Sequence, residues 1–199
     1  VFDVSHMGEV TVKGPDAEKY VNHIFTNDIT NAPKGQIYYG MMLYENGGTV
    51  DDLLVYKMGE NDFFLVINAA NIDKDFDWMQ KNAEGFDIEL KNESEYYGQL
   101  AVQGPEAESV VETVLGIPCK ELVFYTSKTV EKDGETIIIS RTGYTGEDGF
   151  EIYGSHDFIR RQWDALMESG KCKPCGLGCR DTLRFEVGLP LYGDELSEN

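Results

Sequence analysis

The chain has 199 residues, with 17 Lys and Arg against 36 Asp and Glu, for a formal net charge of −19. At 41% hydrophobic and 12% aromatic it holds more core formers than a disordered acidic tail, and its length suits one large domain or two closely packed small ones. No run approaches the roughly 18 apolar residues of a membrane span, and the acidity argues against nucleic-acid binding, which needs Lys and Arg to replace phosphate counterions; any anionic ligand must be held locally against an adverse field.

The first residues, Asp3-Val4-Ser5-His6-Met7-Gly8, already read as structure. No Ser or Cys nucleophile motif accompanies His6, so a buried, hydrogen-bonded histidine is expected. A short strand then runs into Gly14-Pro15, where proline suits a first helical turn and the following acids favour its positive end. Ala17, Tyr20, Val21, Ile24 and Phe25 follow helical spacing. Strands are predicted over 37–43, 52–57 and 63–67, and a helix from near Asp73 with Ile72, Phe76 and Met79 on one face. Asn71 is placed to cap that helix.

An offset of 90 repeats the pattern. Between positions 9–25 and 99–115, six of seventeen residues are identical, including Gly104-Pro105. A helix is predicted through Ala107, Val110, Val111, Val114 and Leu115, then strands over 123–131, 136–141 and 149–153. A helix near His156 follows, with Ile159, Trp163, Leu166 and Met167 on one face. A last helical segment from Gly176 holds Arg180, Leu183, Arg184 and Val187. The expected class is α+β: duplicated strand–helix–strands–helix units with antiparallel sheets, 1–90 and 91–199, packed together without a flexible linker.

Four segments carry candidate chemistry. In Gly47-Gly48-Thr49-Val50-Asp51-Asp52 two carboxylates enter an apolar strand. Neighbours on a strand face opposite sides, so one Asp can meet solvent while the other points inward. An inward carboxylate must be paired or its proton affinity rises, as in a general base; a turn-capping Asp is the plainer alternative. In Ser140 to Glu151, three glycines allow close backbone approach, Tyr144 can lie over a flat ring and Glu151 can accept from an amidine-like ring edge; an ordinary hairpin turn is the alternative. In Gly176 to Arg184, Arg180 and Arg184 stand one turn apart, to neutralise a substrate carboxylate or to bridge local acids. Asn68, ending the strand before Asn71, can reach a central cavity. Cys172, Cys175 and Cys179 lack a nearby fourth ligand, Cys119 being far off, so buried thiols and no metal are expected.

Taken in order, Phe2 to Glu9, Thr26-Asn27-Asp28, Gly47 to Tyr56, Val66 to Asn71, Ser140 to Glu151 and Gly176 to Gly193 resemble the aminomethyltransferase, or T-protein, family of the glycine cleavage system. The resemblance spans the chain and implies a fragment, since family members begin earlier and carry a further C-terminal domain needed for full activity. It implies transfer of the methylene of an aminomethyl group, held on the lipoyl arm of the H-protein, to tetrahydrofolate, with release of ammonia. Tetrahydrofolate is then a co-substrate and the lipoylated H-protein the partner. It makes Asp52 the catalytic carboxylate, with Glu151 on the pterin edge, Tyr144 beside it, Arg180 on folate, and Asn68, Tyr39 and Met7 lining the pocket. Arg141 and Arg184 are further candidates to offset the acidic field. The expected location is the cytoplasm of a bacterium or, in a eukaryote, the mitochondrial matrix. Other readings are the folate domain of a dimethylglycine- or sarcosine-type demethylating enzyme, a non-enzymatic folate-binding relative, and a plain interaction module. The non-enzymatic relatives carry a Lys-Gly-Cys-Tyr-type motif not found here.

Overall fold

The computed structural model describes residues 1–199. The first part of the chain forms β1 (Phe2–Asp3), β2 (Gly8–Lys13), α1 (Ala17–Ile24), β3 (Ile37–Leu43), β4 (Thr49–Gly59), β5 (Asp62–Ile67), a 3-10 turn (Ala69–Asn71), α2 (Ile72–Lys81) and β6 (Glu89–Asn92). The rest forms β7 (Tyr97–Gln103), α3 (Ala107–Val110), a π turn (Val111–Leu115), β8 (Ser127–Lys132), β9 (Glu135–Ser140), β10 (Gly149–Ser155), α4 (His156–Ser169) and α5 (Leu177–Glu186). The expected α+β class with antiparallel sheets is present. The chain divides into two compact units, one of residues 7–95 and 190–199, the other of residues 1–6 and 96–189.

In the first unit the sheet order is β3-β4-β5-β2-β6, all antiparallel. Val10 and Val12 of β2, Leu53 and Val55 of β4, and Phe63, Leu65 and Ile67 of β5 form one buried face, covered by Ala17, Tyr20, Val21 and Ile24 of α1. Each large side chain buried there contributes about 1.5–3 kcal/mol. The Tyr20 hydroxyl donates to the Met79 carbonyl at 2.6 Å, tying α1 to α2. By alternation Asp51 shares the face of Leu53 and Val55, while Asp52, Leu54 and Tyr56 take the opposite one, with Glu9 and Thr11.

The second unit repeats the plan as β8-β9-β10-β7-β1, again antiparallel. Leu100, Val102, Ile137, Ile139, Phe150 and Ile152 pack with Ala107, Val110, Val111, Phe158 and Ile159. Both repeats turn from strand to helix on a positive-φ glycine, Gly14 at 134° and Gly104 at 123°. In both, that glycine's carbonyl accepts the N–H three residues on, Ala17 and Ala107, at 3.0 Å. The leading strand of each repeat is exchanged: β1 pairs with β7, and β6 with β2.

Three features differ from the predicted elements. The strand expected over 123–131 begins only at Ser127. Residues 123–126 form a turn, closed by Thr126 N–H on the Val123 carbonyl at 3.1 Å with Tyr125 at φ 62°, and leave Val123 and Phe124 exposed. The helix expected through Leu115 keeps α geometry only to Val110, widens into the π turn and stops at Gly116, φ 63°. Strands β1 and β6 were not foreseen. One has two residues, and the other, Glu-Leu-Lys-Asn, has no buried residue to betray it.

Candidate functional site

The first cluster lies where β4 runs beside the end of β5. Leu54 is opposite Val66, so the polar residues that continue those strands, Asp52 and Asn68, meet side by side. The Asn68 Nδ2 donates to Asp52 Oδ1 at 2.8 Å, to the Asp52 carbonyl at 3.2 Å and to Asp51 Oδ1 at 2.9 Å. On β3, Tyr39 is diagonal to Asp52 on the same face, and its hydroxyl donates to Asp52 Oδ2 at 3.0 Å. Both Asp52 oxygens are therefore gripped. Burial, then the neighbouring Asp51 charge, push its proton affinity above the ordinary carboxylate value, against the pull of Tyr39 and Asn68. A carboxylate so held orients and takes up protons rather than acting as a strong base.

The two acids differ in exposure, with Asp51 on the inward side. Asp51 is fully buried and Asp52 half-buried. Asn71 does not cap α2 with its side chain. Its Nδ2 instead donates to Asp51 Oδ1 at 2.8 Å, because an unpaired buried carboxylate costs more than an uncapped helix end.

The second cluster lies on β10 and the segments beside it. Glu151 is buried; its Oε1 accepts from Gln99 Nε2 at 2.8 Å and its Oε2 from the Thr142 hydroxyl at 2.6 Å. Burial raises its proton affinity, opposed by Thr142, the Arg180 charge and Gln99. The Arg180 guanidinium stands 4.5 Å from the centroid of the Tyr144 ring, a cation–π contact.

The other arginines are committed elsewhere. Arg141 forks onto Asp148 at 2.8 and 2.6 Å and reaches Glu108 at 3.1 Å, while Arg184 pairs with Asp181 at 2.8 Å and donates to the Leu189 carbonyl. They bridge local acids, so the expectation that they help offset the field at a ligand is corrected. His6 is exposed rather than buried, its proton affinity lowered by partial burial and by Arg180. Of the cysteines only Cys119 is buried, and Cys179 is exposed. Met7 is half-buried, one residue before β2. Sequence reasoning missed Gln99, Thr142, Lys74 and Asp75, whose partners are distant in sequence or lie on a helix read only for its apolar face.

Residues 1–199 match the family described as the GCVT N-terminal domain. The chain belongs to that family. Curated relatives include aminomethyltransferases of Natranaerobius thermophilus, 53% identical over 99% of this chain, and of Alkaliphilus metalliredigens, 51% identical over all of it. The chain spans about half the length of these relatives, 55% of each. Among solved structures, the glycine cleavage system aminomethyltransferase T of Bartonella henselae superposes over the whole chain with a TM-score of 0.93 at 35% identity, the chain covering 53% of it. The heterotetrameric sarcosine oxidase of Corynebacterium sp. U-96 shares the fold over 86% of this chain and 85% of its own, with a TM-score of 0.60 and 16% identity. The family assignment agrees with the resemblance read from the motifs, and the sarcosine oxidase likeness extends to the fold alone.

Proposed function

We propose that the protein containing this GCVT domain transfers the methylene of a lipoyl-bound aminomethyl group, carried by the H-protein, to tetrahydrofolate, releasing ammonia. The observation that carries this reading is Asp52, half-buried and gripped at both oxygens by Asn68 and Tyr39, with its proton affinity raised. Transfer from sulfur to nitrogen needs a positioned nucleophile and a stabilised iminium-like cation more than a strong base. Asp52 orients the folate nitrogens, takes up a proton and stabilises that cation. The donor sets fit folate: the buried Glu151 carboxyl is an acceptor for the N–H groups of a pterin edge, and the Arg180 guanidinium suits a folate carboxylate. Tyr144 offers a ring face beside Arg180, and Met7 an apolar pocket wall. The reaction suits a cytoplasmic setting with reduced thiols, or a mitochondrial matrix.

The test is turnover of the full-length protein with H-protein, methylamine-loaded lipoate and tetrahydrofolate. Asp52→Asn is expected to cut kcat by more than about 100-fold, the scale of general acid–base and electrostatic terms together. Retained turnover in Asp52→Asn removes the mechanism. Glu151→Ala is expected to weaken folate binding about 10-fold or more, read by fluorescence titration, while unchanged binding removes its role at the pterin edge.

A further inference from the structure

The connection between β9 and β10 closes around one side chain that the proposed reaction does not use. Gln103 ends β7, opposite Gly149, the first residue of β10. Its Nε2 donates to the Thr142 carbonyl at 3.1 Å, and its Oε1 accepts from the Thr145 hydroxyl at 3.1 Å. A carbonyl can only accept, so the orientation of the amide is fixed. The Thr145 oxygen in turn accepts from the Glu147 N–H at 3.3 Å. Backbone encloses the amide: a Cβ at Gly143 would stand 1.8 Å from Gln103 Oε1, and one at Gly149 would stand 2.3 Å from its Nε2. Thr142 and Thr145 are buried, and Gly143 and Tyr144 between them are half-buried. Gln103 therefore holds the chain on both sides of Tyr144, whose ring meets Arg180 at 4.5 Å. One of its two anchors, Thr142, is also the residue whose hydroxyl bonds Glu151 at 2.6 Å.

The first repeat has nothing of this kind. Ninety residues earlier, Lys13 ends β2 opposite Asp62 and pairs with it at the surface, 3.3 Å apart. Residues 60 and 61 alone join β4 to β5 there, whereas residues 141–148 join β9 to β10. A longer connection loses more conformational entropy when it is fixed in one shape, and hydrogen bonds from outside it must offset that loss. We propose that Gln103 is a positioning residue for folate: its amide fixes residues 142–145 so that Tyr144 and the Thr142-held Glu151 meet the pterin together. The inference rests on reading Glu151, Tyr144 and Arg180 as folate-binding residues. Gln103 makes no contact with the ligand. It spares folate the cost of ordering the loop, so it acts on binding and not on the chemical step at Asp52.

The test uses the full-length protein, with fluorescence titration of tetrahydrofolate and the turnover assay above. Gln103→Met keeps the length of the side chain and removes both hydrogen bonds. It is expected to raise the Kd and the KM for tetrahydrofolate about 10-fold, with kcat at saturating folate within about 2-fold of wild type. Thr145→Val removes one of the two bonds and is expected to raise the Kd about 3-fold or more, while Thr145→Ser, which keeps the hydroxyl, is expected to recover most of that loss. Thr145→Val against Thr145→Ser decides the matter if Gln103→Met does not fold. A wild-type Kd in Gln103→Met, a loss in kcat with KM unchanged, or equal damage from Thr145→Val and Thr145→Ser overturns the proposal. Weakened binding in Glu151→Ala with none in Gln103→Met refutes the role of Gln103 alone. Unchanged binding in Glu151→Ala removes the reading of the site, and the role of Gln103 with it.

Discussion

Glu9 offers the sharpest test of the electrostatics, because it serves no partner. Its side chain has no exposed surface, and neither carboxyl oxygen has a hydrogen-bond partner, although its backbone N–H donates to Ser94 Oγ at 2.9 Å. Burial alone pushes its proton affinity from 4.5 up to about 9. At neutral pH the folded protein therefore keeps a proton on Glu9 that the unfolded chain releases. Where the native state binds more protons, stability falls as pH rises. The loss begins at 4.5, the unfolded value, and ends near the folded value of about 9. From 4.5 to pH 7 is about 2.5 units, at roughly 1.36 kcal/mol each, so Glu9 costs about 3 kcal/mol at pH 7.

Glu9→Gln replaces the protonated acid with an isostere that cannot ionise. It is expected to be near neutral for stability at pH 4.5 and stabilising by about 3 kcal/mol at pH 7. Between pH 5 and pH 8 the advantage should widen by about 4 kcal/mol. Urea unfolding of wild type and variant in the full-length protein, at pH 5 and pH 8, reads this directly. A difference that stays constant with pH refutes the reasoning, since it would mean that Glu9 is ionised in the fold or that a partner satisfies it.

Two further stability predictions follow from the repeat and from Arg141. At Gly14 an added Cβ would come within 2.5 Å of the Asp87 carbonyl oxygen, whereas at Gly104 it would meet nothing within 4 Å. Both substitutions pay for positive φ, so Gly104→Ala should cost about 1–2 kcal/mol and Gly14→Ala about 2 kcal/mol more, measured by urea unfolding; equal costs would show that the Asp87 loop yields freely. Arg141→Ala should destabilise by about 1–3 kcal/mol at pH 7 through loss of its fork onto Asp148 and its bond to the Leu122 carbonyl. The hydrogen bonds from Arg141 hold Asp148 below its ordinary value, so that contribution is present above 3.8 and lost as pH falls through the depressed one. A penalty unchanged at pH 2 would assign it to packing instead.

Much of this was legible in the residues because local signals and long-range packing agree. Gly-Pro after an apolar strand, followed by helical spacing, announces both strand-to-helix turns. The paired acids at 51 and 52 stand out in an apolar strand. What stayed hidden depends on partners that no spacing encodes. Asn71 carries a capping residue's identity, yet the desolvated Asp51 takes its amide. The residues at 123–126 have strand propensity, but Tyr125 adopts φ 62° and its N–H bonds to the Arg141 carbonyl at 3.0 Å, closing a turn instead. Arg180 and Arg184 looked alike one turn apart. Asp181, three residues before Arg184 on the same helix, pairs with it and leaves Arg180 to the ring of Tyr144.

The two repeats also show how one scaffold position takes on different chemistry. Glu9 and Gln99 stand at the same place in their units, Glu9 opposite Val66 and Gln99 opposite Tyr153. The Tyr153 hydroxyl accepts from Gln99 at 3.1 Å, and the same amide nitrogen donates to Glu151, so this polar group is put to work on a buried carboxyl. Val66 can offer Glu9 nothing, and the acid survives burial only by keeping its proton. Asp75 does the same against Asp51. Two of the carboxyls counted in the formal charge of −19 are thus neutral at pH 7. Asp51, which also has no exposed surface, is instead satisfied by N–H bonds from Asn68 and Asn71. The field inside the fold is therefore set by such local pairings rather than by the net charge of the chain.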